Sequence, residues 1–225
     1  MARTIDWTQA TWADGYAAVQ TMTDALGMPV DTGIVETVVA LNLLGFQTLQ
    51  SCEGHLDHGT PYPWVTLIHH PHHSRFIRAW KQVCDLQEEA RHLGTPEAYE
   101  RLFTTELAFR LEVATWKRDD TLFSALIKLL DTFYADRPIP PTRLMVLRMH
   151  PGMSRIEPGS GRQLREAPEP VKRIYLLQAQ TEMQTFTAFL KRLLLEQKRI
   201  KQVSEQLNPR QLSSAGSMKR KQEVV

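Results

Sequence analysis

Eight consecutive residues, Ser51-Cys52-Glu53-Gly54-His55-Leu56-Asp57-His58, hold a thiol, two carboxylates and two imidazoles. Six of the eight histidines fall between positions 55 and 73, the later four in His69-His70-Pro71-His72-His73. Three kinds of chemistry suit this set. Cys52, His55 and His58 are spaced C-x2-H-x2-H, and thiolate with imidazole suits Zn²⁺; the fourth ligand would come from Asp57, from a histidine of 69–73, or from water. Alternatively, His55 acts as a base oriented by Glu53 or Asp57, or activates Cys52 as a nucleophile. In the third reading Gly54 and Gly59 make a turn, Cys52 is a small buried residue, and the histidines are solvated. The sequence leaves all three open.

The flanking sequence shows how this stretch is held. Trp12, Tyr16, Val19, Met22 and Leu26 fall at helical spacing, and Gly27 and Pro29 end that helix. Asp31 or Thr32 caps a second helix with Ile34, Val38 and Leu41 on one stripe. It ends at Leu44-Gly45-Phe46, where glycine takes a left-handed C′ position and Phe46 packs back. Residues 46–52 then form a strand that runs into the Ser-Cys-Glu-Gly-His segment.

A second strand, Tyr62–His69, is aromatic and β-branched, with proline only at its start. A helix over 73–93 places Phe76, Ile77, Trp80, Val83 and Cys84 on its apolar side, which makes Cys84 a small core residue. Thr95-Pro96-Glu97 starts another helix, reaching Trp116. Leu122, Leu126, Leu129 and Phe133 mark a further one, closed by the proline-rich 137–141. Leu144–Met149 and Ser154–Glu157 form a hairpin about a turn at His150-Pro151-Gly152-Met153. Residues 158–170 are loop, with Gly159-Ser160-Gly161 able to let a phosphate approach, and 171–205 form a long helix. The expected fold is therefore α+β: a small, mostly antiparallel sheet of three or four strands wrapped by about seven helices, one domain over 1–206, and a disordered basic tail over 207–225.

Composition narrows the class. The chain of 225 residues is 42% hydrophobic and 23% charged, the balance of an ordinary globular protein. No run approaches the ~18 apolar residues a membrane span needs, so no membrane partner is expected. Two cysteines cannot build a disulfide framework, and the N-terminus lacks a secretory pattern, which points to the cytoplasm. Residues 191–225 carry nine Lys/Arg against three Glu, or +6, which leaves 18 basic and 22 acidic residues elsewhere, or −4. A basic end on an acidic body can hold RNA electrostatically, and it can equally be a solvated helix end.

Leu41-Asn42, Thr48, Ser51-Cys52-Glu53-Gly54-His55 and a following strand with Trp64 resemble the opening of the tRNA wybutosine-synthesising methyltransferase family. The likeness covers about 35 residues, and uncharacterised bacterial and phage proteins share a similar Ser-Cys-x-Gly-His element after a helix. The resemblance implies an S-adenosylmethionine cofactor and an RNA or nucleotide-like substrate, with Ser51, Cys52 and Gly54 shaping the pocket. His55 stands where that family has arginine, and Glu53 where it has a small polar residue. Arginine is a permanent cation, whereas an imidazole can also accept a proton. The site expected on this reading has His55 and Glu53 as catalytic groups and Ser51, Cys52, Gly54 and Arg155 on the substrate. Arg155 would arrive from the later hairpin as an anion clamp.

Overall fold

A computed structural model describes residues 5–23, 27–116, 121–164 and 166–207. Its elements are α1 (Trp12–Gln20), a 3-10 turn (Thr32–Ile34), α2 (Val35–Leu43), β1 (Thr48–Cys52), β2 (Trp64–Ile68), α3 (His70–Leu93), α4 (Pro96–Trp116), α5 (Thr121–Tyr134), β3 (Leu144–His150), β4 (Met153–Pro158), a second 3-10 turn (Gly161–Leu164) and α6 (Glu169–Leu207). The α+β class holds. The described residues form six α-helices, and the four strands make one antiparallel sheet in the order β1-β2-β4-β3.

Local signals explain most boundaries. The Thr11 hydroxyl accepts the Asp14 N–H, and the Asp14 carboxylate accepts the Thr11 N–H, a reciprocal cap that starts α1. α1 is shorter than its apolar stripe predicts. It stops at Gln20, and the chain turns back through a Thr23–Pro29 bridge, so Met22 lies beyond the helix; Leu26 lies outside the described residues. α2 closes as expected: Gly45 takes φ +87°, its N–H reaches the Asn42 carbonyl at 2.9 Å, and the Phe46 N–H reaches the Leu41 carbonyl at 2.9 Å. Asn42 then spans the turn into β1, donating to the Thr48 hydroxyl at 2.7 Å and accepting the Thr48 N–H at 3.2 Å.

The histidine tract departs from expectation. β2 ends at Ile68, and α3 starts at His70, with Pro71 in its first turn where a missing N–H costs nothing. All of the tract after His69 is thus the start of a helix. α3 and α4 form an antiparallel helical hairpin in which Phe76 and Trp80 face Phe109, with ring centroids 5.5 and 5.7 Å apart. Cys84, expected in the core, is exposed.

The core lies on one sheet face. Val65, Leu67, Val146 and Ile156 pack in one buried cluster with Val38, Val39 and Leu41 of α2, Leu126, Leu130 and Phe133 of α5, and Met183, Phe186 and Leu190 of α6. A buried Thr37–Thr187 hydroxyl pair at 2.6 Å ties α2 to α6. Side chains alternate along a strand, and register partners share a face. Cys52 pairs with Trp64, Gln50 with Thr66, and Thr66 with Arg155, so these residues share the opposite face. Among the described residues no helix is long and apolar enough to cross a membrane. The predicted basic tail, apart from Leu207, lies outside the described residues.

Candidate functional site

α2 rises about 14 Å over its nine residues, and β1 returns about 17 Å over five. A helix and a returning strand of similar length bring the start of one beside the end of the other. The turn Asp31-Thr32-Gly33 therefore meets Cys52-Glu53-Gly54-His55. That closeness is the basis of the site.

Asp31 is the centre of the meeting. Its Oδ2 lies 3.1 Å from His55 Nε2 and accepts the Glu53 N–H at 3.0 Å, and the Cys52 thiol also donates to this carboxylate. One ligating atom each from Asp31, Cys52 and His55 falls within 4.8 Å of the others. His55, Asp57 and His58 form a second such group. In it the His58 ring stacks on His55 with centroids 4.1 Å apart, and Asp57 holds His58 Nδ1 at 2.8 Å. His58 is largely solvated, so it forms the rim and His55 the wall. Burial raises the Asp31 pKa, but the Glu53 N–H, the His55 ring and the Cys52 thiol outweigh it and hold the carboxyl below its usual range.

Glu53, expected as a catalytic carboxylate, is bound at the mouth of α2. Its carboxylate accepts the Gly33 N–H at 2.6 Å, at the opening of α2, where a negative charge is favoured. A Cβ on Gly33 would sit 2.6 Å from that oxygen. Gln180 of α6 donates to the Glu53 carbonyl at 3.1 Å, so the loop is fastened on both sides. Gly54 is buried at φ +88° and fits against Leu176 and the Tyr62–Pro63 peptide. The His55 N–H closes the following loop on the Thr60 carbonyl at 2.9 Å.

Ser51 and Arg155 line a neighbouring groove of about 500 Å³, together with Gln50, Trp64, Met22 and Met28. Three partners fix Arg155. Its Nε donates to the Thr66 hydroxyl at 3.0 Å, its guanidinium lies 4.1 Å over the Trp64 ring, and its Nη1 is 3.8 Å from buried Glu157 Oε2. Of the residues expected in one pocket, the fold thus gathers Cys52 and His55 about Asp31 and sets Ser51 and Arg155 along the groove. Gly159 and Gly161 serve packing instead of phosphate approach: a Cβ at either would strike Met145 or the Tyr62 ring.

No family model, curated protein or solved structure matches this chain. Asp31, expected only as a helix cap, is the added participant. Its signal was a carboxylate at the mouth of a helix whose far end feeds directly into β1.

Burial, the neighbouring negative charges of Asp31 and Glu53, and the thiol's bond to Asp31 push the Cys52 pKa up to about 11, against one opposing N–H from Gly54. At neutral pH Cys52 is a thiol, not the thiolate that attacks electrophiles. In metal-free protein, iodoacetamide at pH 7.5 is expected to alkylate exposed Cys84 at least about tenfold faster than Cys52. Peptide mass spectrometry over time reads this. Equal rates would show that Cys52 is activated.

Proposed function

We propose that the chain is an enzyme or ligand-binding protein for a nucleotide-like or RNA substrate, with His55 as its acid–base group and Asp31 as the residue that orients it. The observation behind this reading is the 3.1 Å contact between Asp31 Oδ2 and His55 Nε2 at the end of β1. A carboxylate bound to one ring nitrogen fixes the tautomer and stabilises the imidazolium, leaving the other nitrogen to take or give a proton. Glu53 anchors the loop, while Ser51 and Arg155 hold substrate in the adjoining groove. Arg155 offers a planar cation already fixed by Thr66, and Trp64 offers an aromatic face.

S-adenosylmethionine comes to this reading through the resemblance in the 41–64 segment. Titration with S-adenosylmethionine or its demethylated product is expected to raise the melting temperature by mass action, by an increment that grows once ligand exceeds its Kd. Arg155→Ala is expected to reduce that increment. A flat curve with both compounds removes methyl transfer.

A second reading is favoured by the three donors from two separate segments. Asp31, Cys52 and His55 supply carboxylate, thiol and imidazole, a set suited to Zn²⁺ with a fourth position open for water. Here Asp31 takes the place that spacing alone gives to His58. Zinc-loaded, desalted protein would hold one equivalent by elemental analysis, and Asp31→Asn or Cys52→Ser would weaken binding at least about tenfold. Substoichiometric metal in the wild type ends this reading and leaves the acid–base one standing.

A further inference from the structure

A second concavity lies at the other end of α2, independent of the site above. Leu43, the last residue of α2, is on its wall, so about 14 Å of helix separates it from the Asp31 turn. The groove has a volume of about 630 Å³, within the range of small-molecule sites. It opens between the segment just before α1 and the outer half of α6.

Its lining divides by chemistry. Trp7 and Trp12 from the N-terminal segment, with Leu194 and Leu195 from α6, supply an aromatic and aliphatic floor. Lys198 and Lys201, three residues apart and hence on one side of α6, stand at the outer end. Both indoles pack partly on the core, so the floor is held in place without a ligand. Lys191 Nζ sits 4.8 Å from the Trp12 ring centroid and 2.7 Å from Glu36, so this third lysine is neutralised locally. No acidic residue is among those lining the groove. The groove thus joins an apolar floor to a pair of lysines at one end.

We infer that this groove binds an amphipathic organic anion, its apolar body on Trp7, Trp12, Leu194 and Leu195 and its carboxylate, sulfonate or phosphate on Lys198 and Lys201. A neutral apolar compound leaves the lysines unused, and a bare polyanion leaves the indoles unused. The body is either an alkyl chain or a fused aromatic ring, and the experiment separates these sources.

The probe is 8-anilinonaphthalene-1-sulfonate, followed by fluorescence with the full chain. The expected result is saturable binding of one probe per chain, weakened at least about tenfold by Lys198→Glu with Lys201→Glu. Lys128→Glu with Arg173→Glu, an equal charge change at exposed positions elsewhere, would shift affinity less than about twofold. Far-UV circular dichroism and melting temperature confirm that each variant folds. Displacement by decanoate identifies an alkyl source and displacement by 1-naphthoate an aromatic one; either supports the inference. It is overturned if decanol competes as well as decanoate, or if the paired Glu substitutions bind like the wild type. It is equally overturned if a short single-stranded RNA displaces the probe while both small anions fail.

Discussion

Gly54→Ala is expected to lower the melting temperature by about 10 °C, from two costs that add. At φ +88° an L-residue pays roughly 1–2 kcal/mol for the left-handed backbone. The added methyl would also stand 2.7 Å from the Tyr62 carbonyl carbon and 2.7 Å from Leu176 Cδ1. Leu176 can rotate, but a backbone carbon between β2 and its preceding loop cannot, so overpacking adds about 1–3 kcal/mol. About 3–4 kcal/mol in a chain of this size corresponds to roughly 10 °C.

Gly45→Ala is the matched control. Its φ of +87° is nearly the same, yet nothing lies within 4 Å of the new Cβ, so only the backbone cost applies. Gly54→Ala should therefore lose about twice as much stability as Gly45→Ala in parallel thermal melts. Equal losses would mean that the loop yields freely, and that Cys52 and His55 are not held at Asp31 by packing. Because Gly54 lies between those residues, its substitution should also weaken any ligand that stabilises the wild type.

The parts of this fold that could be read in the sequence are those set within a few residues. Leu44-Gly45-Phe46 ends α2 because only local backbone geometry is needed, and Thr95-Pro96-Glu97 starts α4 for the same reason. The Thr95 hydroxyl does accept the Ala98 N–H, at 3.3 Å. The hairpin of β3 and β4 follows from the Pro-Gly turn at His150-Pro151-Gly152-Met153, and it pairs Leu147 with Arg155 across the strands. What stayed hidden was set at a distance. Nothing near Glu53 in the sequence shows that Gly33, twenty residues earlier, offers its carboxylate an N–H at a helix mouth. Asp31 resembles a cap until the length match of α2 and β1 carries His55 back to it. The expected helix begins at 73 instead of His70 because Pro71 breaks strands, although the same proline is favoured in a first helical turn.

Glu182 was equally silent in the sequence, and its replacement has a comparable expected effect. It lies in mid-α6, where a glutamate normally marks the solvated face, but it is 6% exposed. Its Oε1 accepts the Tyr134 hydroxyl at 2.8 Å, and its Oε2 accepts from Arg137 Nη2 at 3.2 Å. The Tyr134 oxygen in turn accepts the Leu144 N–H at 2.8 Å, so one carboxylate joins α6, the end of α5 and the first residue of β3. Burial pushes the Tyr134 phenol well above its ordinary pKa, so it stays a donor throughout the accessible pH range. Glu182→Leu keeps the volume but leaves a buried hydroxyl without its acceptor and Arg137 without its counter-charge. Breaking one partner of a buried pair costs about 3–5 kcal/mol, and because Arg137 is partly solvated the loss should fall near 3 kcal/mol. Tyr134→Phe, which strands the Leu144 N–H, should cost about 2 kcal/mol. Since both substitutions remove the same hydroxyl–carboxylate bond, the double variant should lose about 1 kcal/mol less than the two single losses combined. Urea unfolding of the four proteins measures this coupling. Strict additivity would mean that Glu182 acts on Arg137 alone and that the link from α6 to β3 carries no stability.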